Sequence, residues 1–300
     1  MTILQLQGVG FGLGTALCQS VFYLFTRRFV VRTGRTPLLL LIVSHVIMGG
    51  FSALLLLVLR PHNLPPFATY ALPLASTACF YVAAQFGLFR VLQEVAGSRI
   101  APLLGAKIIV LALLSVFCLG HKLLPTQWLA VLISAGAAWL LNEAGGRIPL
   151  RLLAMLAMTV LGYCLSDLSI GVLVRRLTAV GPTMPMVAAA LTYLACGVCA
   201  LPFAFRREAR DRHVWTLAIP CAVVWFTAMC LLYASFATIG VVFGNIVQAT
   251  RGLMAVGLGW AMARIGHTHI EAHVSRSVFW RRMAGAALML LAVALYLIKG

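Results

Sequence analysis

Runs of about twenty apolar residues recur along the chain, separated by short stretches that gather charges, prolines and glycines. A helix of about 20 residues crosses a hydrocarbon core of about 30 Å. The runs are continuous rather than alternating in polarity, so they do not read as barrel strands. They predict ten membrane-spanning helices. Five lie near Val9–Phe25, Leu38–Leu59, Tyr70–Phe89, Ile100–Leu119 and Gln127–Leu141. Five more lie near Arg151–Val174, Thr183–Phe205, Val214–Phe236, Ile239–Ala263 and Met283–Ile298. Between the sets, Asn142 to Pro149 holds Gly145, Gly146 and a closing proline, and reads as a linker. The division is therefore residues 1–142, a linker at 143–150, and residues 151–300.

An odd number of spans in the first half makes the second half enter the bilayer from the opposite face. The predicted fold class is thus an all-α integral membrane protein of ten transmembrane helices, arranged as two inverted five-helix repeats. In such proteins the substrate site lies near the midplane between the repeats. The halves also echo one another in order. Phe89 and Tyr233 come first, then a glycine hinge (Gly97, Gly240), then a span with one cation (Lys107, Arg251). Gly120-His121 and Gly266-His267 follow, and a last span rich in Ala and Gly closes each half.

Composition agrees with this picture, since 62% of the residues are hydrophobic and 10% are charged, against about 25% charged in soluble domains. The net charge of +17 raises nucleic acid as a partner, but the positions of the charges argue otherwise. Thr26-Arg27-Arg28, Arg175-Arg176, Arg206-Arg207 and Arg281-Arg282 stand where helices end, as expected for contacts with lipid headgroups. No basic stripe with interleaved aromatics lies outside the spans, so no nucleic-acid partner is expected. Leaving Lys107 and Arg251 aside, 16 Lys and Arg follow odd-numbered spans and five lie elsewhere. This count puts both termini outside the cytoplasm.

All eight cysteines fall in apolar segments, which does not resemble a secreted disulfide framework. Cys196-Gly197-Val198-Cys199 has a redox-like spacing but lies mid-span with no His or acid beside it in sequence, so it reads as packing. The N-terminus has no basic segment before its first apolar run, so that run is expected to remain as a helix.

The ten-span plan, Pro102-Leu103-Leu104 opening span four, the turn Leu119-Gly120-His121-Lys122-Leu123-Leu124-Pro125-Thr126-Gln127-Trp128 and the Ala/Gly-rich fifth span resemble the EamA-type drug/metabolite transporters. The turn departs from that family's usual Gly-Glu by having His121, so no role of that acid carries over. The resemblance implies a central cavity lined by the first four helices of each half. It also implies that the fifth and tenth helices pack peripherally or at a homodimer contact, and that both termini are cytoplasmic, against the charge count.

An ionised side chain in mid-bilayer costs several kcal/mol and normally faces a cavity or a partner. Lys107 and Arg251 sit at corresponding spans, so pseudo-symmetry brings both toward one chamber. There they bind an anionic group, Arg as a fork and Lys as a point charge, or they pair structurally with Asp167. Asp167 is the one acid well inside a span, near Tyr163 and Ser166. It either couples transport to protons or locks one conformation through a salt bridge.

Polar residues at helical spacing complete the candidate substrate site. Gln19 and Tyr23 mark span one, His45 span two, Tyr81 and Gln85 span three, and Asn245 and Gln248 precede Arg251 in span nine. Each is read as a substrate contact or as helix-to-helix glue. Trp225 and Tyr233 stack on an apolar part of the solute or pack the core.

Catalytic motifs are thin: there is no Gly-x-Ser-x-Gly elbow, phosphate loop or paired-carboxylate site. His267, His269 and His273 read as a loop beside headgroups rather than a metal site, and no cofactor is expected. The chain is expected to be a secondary transporter of a small anionic or zwitterionic metabolite in a bacterial inner (plasma) membrane, not an enzyme. The alternative is a lipid-phosphate flippase or membrane enzyme using the same cations.

Overall fold

The computed structural model describes residues 3–61, 64–95, 97–104, 107–119, 124–126, 128–130, 132–133, 136–137, 148–178, 181–205, 207–265 and 275–297. In chain order the α-helices are α1 (Ile3–Thr33), α2 (Pro37–Leu59), α3 (Phe67–Val91), α4 (Gly97–Leu103) and α5 (Lys107–Leu119). They continue with α6 (Leu150–Thr178), α7 (Met184–Ala204), α8 (Arg212–Gln248), α9 (Arg251–Arg264) and α10 (Arg276–Leu297). No strand occurs among the described residues. Among the described residues six helices, α1, α2, α3, α6, α7 and α8, are long and apolar enough to cross a membrane. Large apolar side chains such as Leu57, Val58, Leu72 and Val198 stand exposed on them, a surface suited to lipid.

Local chemistry sets the helix ends. α1 outruns its apolar stretch at both ends; at the C-terminal end Arg27, Arg28 and Arg32, good helix formers, carry it onward. It stops at Gly34, which takes φ +63° and donates its N–H to the Val30 carbonyl at 2.9 Å, the left-handed ending that glycine favours. Pro37 then opens α2, where its missing N–H costs nothing. Asp211 caps α8 by accepting the His213 N–H at 2.9 Å.

Two predicted spans are not single helices. The expected fourth span divides into α4, ending at Leu103, and α5, starting at Lys107. The eighth and ninth meet within α8, which bends at Gly240 (φ 79°, ψ 165°). The ninth is then interrupted by a turn at Ala249-Thr250 before α9 begins at Arg251. The bend falls at the glycine hinge expected at Gly240, whereas the apolar runs did not mark the interruptions before Lys107 and Arg251. In a bilayer such breaks persist where the irregular backbone is shielded by protein or lines a cavity.

The helices pair lengthwise as α1 with α8, α3 with α6, and α2 with α7. α9 lies against α1 and α4, and α5 against α6. α2 and α7 touch backbone to backbone: a Cβ added at Gly197 would lie 2.7 Å from the Gly49 Cα and 2.9 Å from the His45 carbonyl. Phe22 joins the pairs at the core, its ring centroid 4.4 Å from Trp225 and 6.0 Å from Phe89. Most of the predicted fifth span, linker residues 143–147, the side chain of Cys118, His121, and His267, His269 and His273 lie outside the described residues. The seven described cysteines are free thiols.

Candidate functional site

Ten of the residues singled out in the sequence line one internal chamber. α1 contributes Gln19 and Tyr23, one turn apart, and α3 contributes Tyr81. α6 brings Tyr163 and Asp167, also one turn apart, and α8 brings Trp225, Tyr233 and Gln248. Lys107 and Arg251 enter as the first residues of α5 and α9. The chain breaks therefore put both cations at the chamber rather than in the middle of unbroken helices.

Small side chains fasten these breaks to the surrounding helices. Ser20 on α1 shares its one hydroxyl hydrogen between the Ala16 carbonyl of its own helix at 2.8 Å and the Arg251 carbonyl at 3.1 Å. Cys164 on α6 donates its thiol to the Lys107 carbonyl at 3.4 Å. Each cation is thus held through its own backbone, leaving its side chain to the chamber.

The two cations have different surroundings. Lys107 Nζ is 2.5 Å from Asp167 Oδ2, with both side chains 5% exposed, and lies 5.4 Å from the Tyr163 ring centroid. Arg251, 5% exposed, donates from Nη1 to the Gln19 Oε1 at 2.9 Å. Gln248 Nε2 donates to that same oxygen at 3.1 Å. No carboxylate pairs with Arg251 among the described residues, and its Nε has no hydrogen-bond partner. A buried ion pair offsets part of the cost of burial, whereas a lone buried guanidinium leaves it standing. Among the described residues the chamber holds one ion pair and one surplus positive charge.

Hydrogen-bonding capacity is also left open. The hydroxyls of Tyr23 and Tyr163 are buried without partners. Tyr81 is held firmly: Gln85 Nε2 donates to its hydroxyl at 2.7 Å and Trp225 Nε1 at 2.6 Å. Tyr233 donates to Thr192 Oγ1 at 3.0 Å. The space open to the centre of a water molecule is about 20 Å³, room for roughly one water, so the chamber is nearly filled by its own side chains.

Three candidates stand outside the chamber lining. Gln85 acts behind Tyr81, as above. Asn245 donates to the Val241 carbonyl at 3.0 Å, serving the backbone just beyond the Gly240 bend. His45 donates from Nδ1 to the Leu41 carbonyl at 2.7 Å and packs its ring 5.6 Å from Tyr81 and 6.3 Å from Tyr193. Sequence reasoning in turn missed Tyr193 and Thr77, which line the chamber, and the fastening role of Ser20. Tyr193 had one available signal: it precedes Gly197 by four residues, as His45 precedes Gly49.

No family model matches the chain, and no curated protein matches it. A crystal structure of a protein is similar to it with a TM-score of 0.58 at 15% identity, over 94% of this chain and 95% of the other. At that identity the likeness concerns the fold alone.

Proposed function

We propose that this chain is a secondary transporter that carries a small organic anion or zwitterion across a bilayer by alternating access. The observation that carries this reading is Arg251: buried, unpaired with any described carboxylate, and lining the same chamber as the Lys107–Asp167 pair. A carboxylate or phosphate on the solute fits it, because a guanidinium offers two parallel donors and here keeps Nε free. The unpartnered Tyr23 and Tyr163 hydroxyls supply further polar contacts, and Trp225 and Tyr233 an apolar wall.

Asp167 is the coupling group in this reading. While it is ionised, it holds Lys107. Protonation removes the attraction and frees Lys107 for a second anionic oxygen, so that proton and anion bind together.

We further read the fold as ten spans in two inverted five-helix repeats. A two-fold relation between the halves exchanges α1 with α6 and α3 with α8, so it maps the α1–α8 pair onto α6–α3 and leaves α2–α7 in place; the observed pairs agree with it. It also equates the Ser20 clamp on Arg251 with the Cys164 clamp on Lys107, and one sequence interval relates both pairs. The EamA-type resemblance, a bacterial inner-membrane location, lipid contacts and a homodimer belong to the same proposal.

The lipid-flippase alternative needs an apolar path that reaches the cations. The apolar groove beside α2, α3 and α7 includes neither Lys107 nor Arg251 in its wall, which favours a small solute. Uptake of a panel of labelled carboxylates, phosphates, amino acids and cations into proteoliposomes, with and without a pH gradient, tests the proposal. Saturable uptake of an anion or zwitterion that Arg251→Gln abolishes is expected; uptake of cations only, or of none of the panel, counts against it.

A further inference from the structure

Three of the described residues that line the chamber carry charge: Lys107, Asp167 and Arg251. Ionised together, they sum to one positive charge. They are 4%, 3% and 5% exposed, so water reaches little of them. Arg251 has the Gln19 oxygen as its acceptor, and the dipole of an amide does not cancel a whole charge.

What that surplus costs depends on the medium around it. In a wetted chamber water offsets it; when helices close around a solute and expel the water, much of the cost stands. Closure is therefore most favourable when the net charge of the solute is equal and opposite to that of the wall. The sum stays the same as helices part and close, so it does not depend on the small space left in the present conformation.

The wall also lacks a place for an ammonium group. Asp167 is the one carboxylate among the described lining residues, and Lys107 Nζ already stands 2.5 Å from it. A solute ammonium would share that carboxylate with Lys107, in the company of Arg251. Ring faces can hold a cation, but Tyr163 already has Lys107 at 5.4 Å from its centroid. A zwitterion, with no net charge, leaves the surplus where it was.

We infer that the chamber selects its solute by net charge, taking an organic anion of one negative charge and rejecting the zwitterion of the same shape. This rests on the transport reading above and narrows its substrate class. The anion matches the surplus at Arg251 and leaves the Lys107–Asp167 pair intact. A change in the charge of the wall changes the matching solute by the same amount. Gln19→Glu brings the sum to zero, and Asp167→Asn, uncharged like the protonated acid, raises it to two.

The test uses the full chain in lipid nanodiscs and three probes with one body: propane-1-sulfonate, its zwitterion 3-aminopropane-1-sulfonate, and the dianion propane-1,3-disulfonate. Affinities are read at neutral pH from the rise in unfolding midpoint with probe concentration. On the wild-type protein the monosulfonate should bind about tenfold more tightly than either of the others. The best probe should become the zwitterion in Gln19→Glu and the disulfonate in Asp167→Asn. Equal or tighter binding of the zwitterion by the wild-type protein overturns the inference and leaves the transport reading standing. Absence of protection by all three overturns both. The wild-type comparison decides the matter even where a variant fails to fold.

Discussion

Lys107 and Asp167 form an ion pair of 2.5 Å at the chamber, while the Arg251 guanidinium, lining the same chamber, has the neutral oxygen of Gln19 as its hydrogen-bond acceptor among the described residues. This asymmetry sets the first expectation. Asp167→Asn leaves the Lys107 ammonium buried without its counter-charge, which costs about 3–5 kcal/mol. Thermal unfolding in detergent should report a large loss of stability, and any uptake that survives should no longer respond to a pH gradient. Replacing both partners, as Lys107→Met with Asp167→Leu, should recover most of the lost stability. Failure of the double variant to recover would mean that the pair does more than neutralise itself.

Arg251→Lys keeps the charge and loses the fork. In proteoliposomes the expected result is a raised KM for the transported anion with retained protein yield, and Arg251→Ala should remove uptake altogether. Wild-type KM in Arg251→Lys would argue that the guanidinium does not touch the solute.

Gln19 accepts from both Gln248 and Arg251. Gln19→Leu strands two buried donors, and each orphaned donor costs about 1–3 kcal/mol, more for a charged one. Stability should fall further than in Gln19→Glu, which keeps an acceptor and adds the counter-charge that Arg251 lacks. Comparing the unfolding midpoints of the two variants checks the order.

Gly197→Ala and Gly50→Ala make a matched pair. A methyl group at Gly197 meets backbone atoms of α2 within 3 Å, whereas nothing lies within 4 Å of one at Gly50. Overpacking of this kind costs about 1–3 kcal/mol, so Gly197→Ala should lower the melting temperature and Gly50→Ala should barely move it.

Gly240→Ala isolates backbone strain from packing, because a Cβ there meets open space. The φ of 79° with ψ of 165° belongs to a region that is essentially restricted to glycine, and strain in such regions costs about 1–3 kcal/mol. A loss of stability in that range is expected by chemical or thermal denaturation, and an unchanged midpoint would show that the bend relaxes freely.

Much of the chamber was legible because a buried polar group in an apolar run needs a partner. That rule picks out Lys107, Asp167, Arg251, Gln19 and Gln248 from an otherwise uniform background. It fails for Asn245 and Gln85, because a polar side chain is equally satisfied by a carbonyl at a bend or by a neighbour such as Tyr81. It also passes over Tyr193, whose aromatic body looks like packing until the fold brings Tyr81 beside it, with centroids 5.2 Å apart. The lengths of α2, α3, α6 and α7 followed the apolar runs, but the breaks before Lys107 and Arg251 did not. Hydropathy records how much chain is out of water, not where its hydrogen-bond ladder is interrupted.

The contact of Gly49 with Gly197 has a mechanical consequence. At the Gly49–Gly197 point itself backbone meets backbone, while one turn away the rings of His45 and Tyr193 pack across the same pair of helices. A spot where two rods touch through their main chains alone is a natural fulcrum, and a swivel there would be read out first as sliding between those two rings.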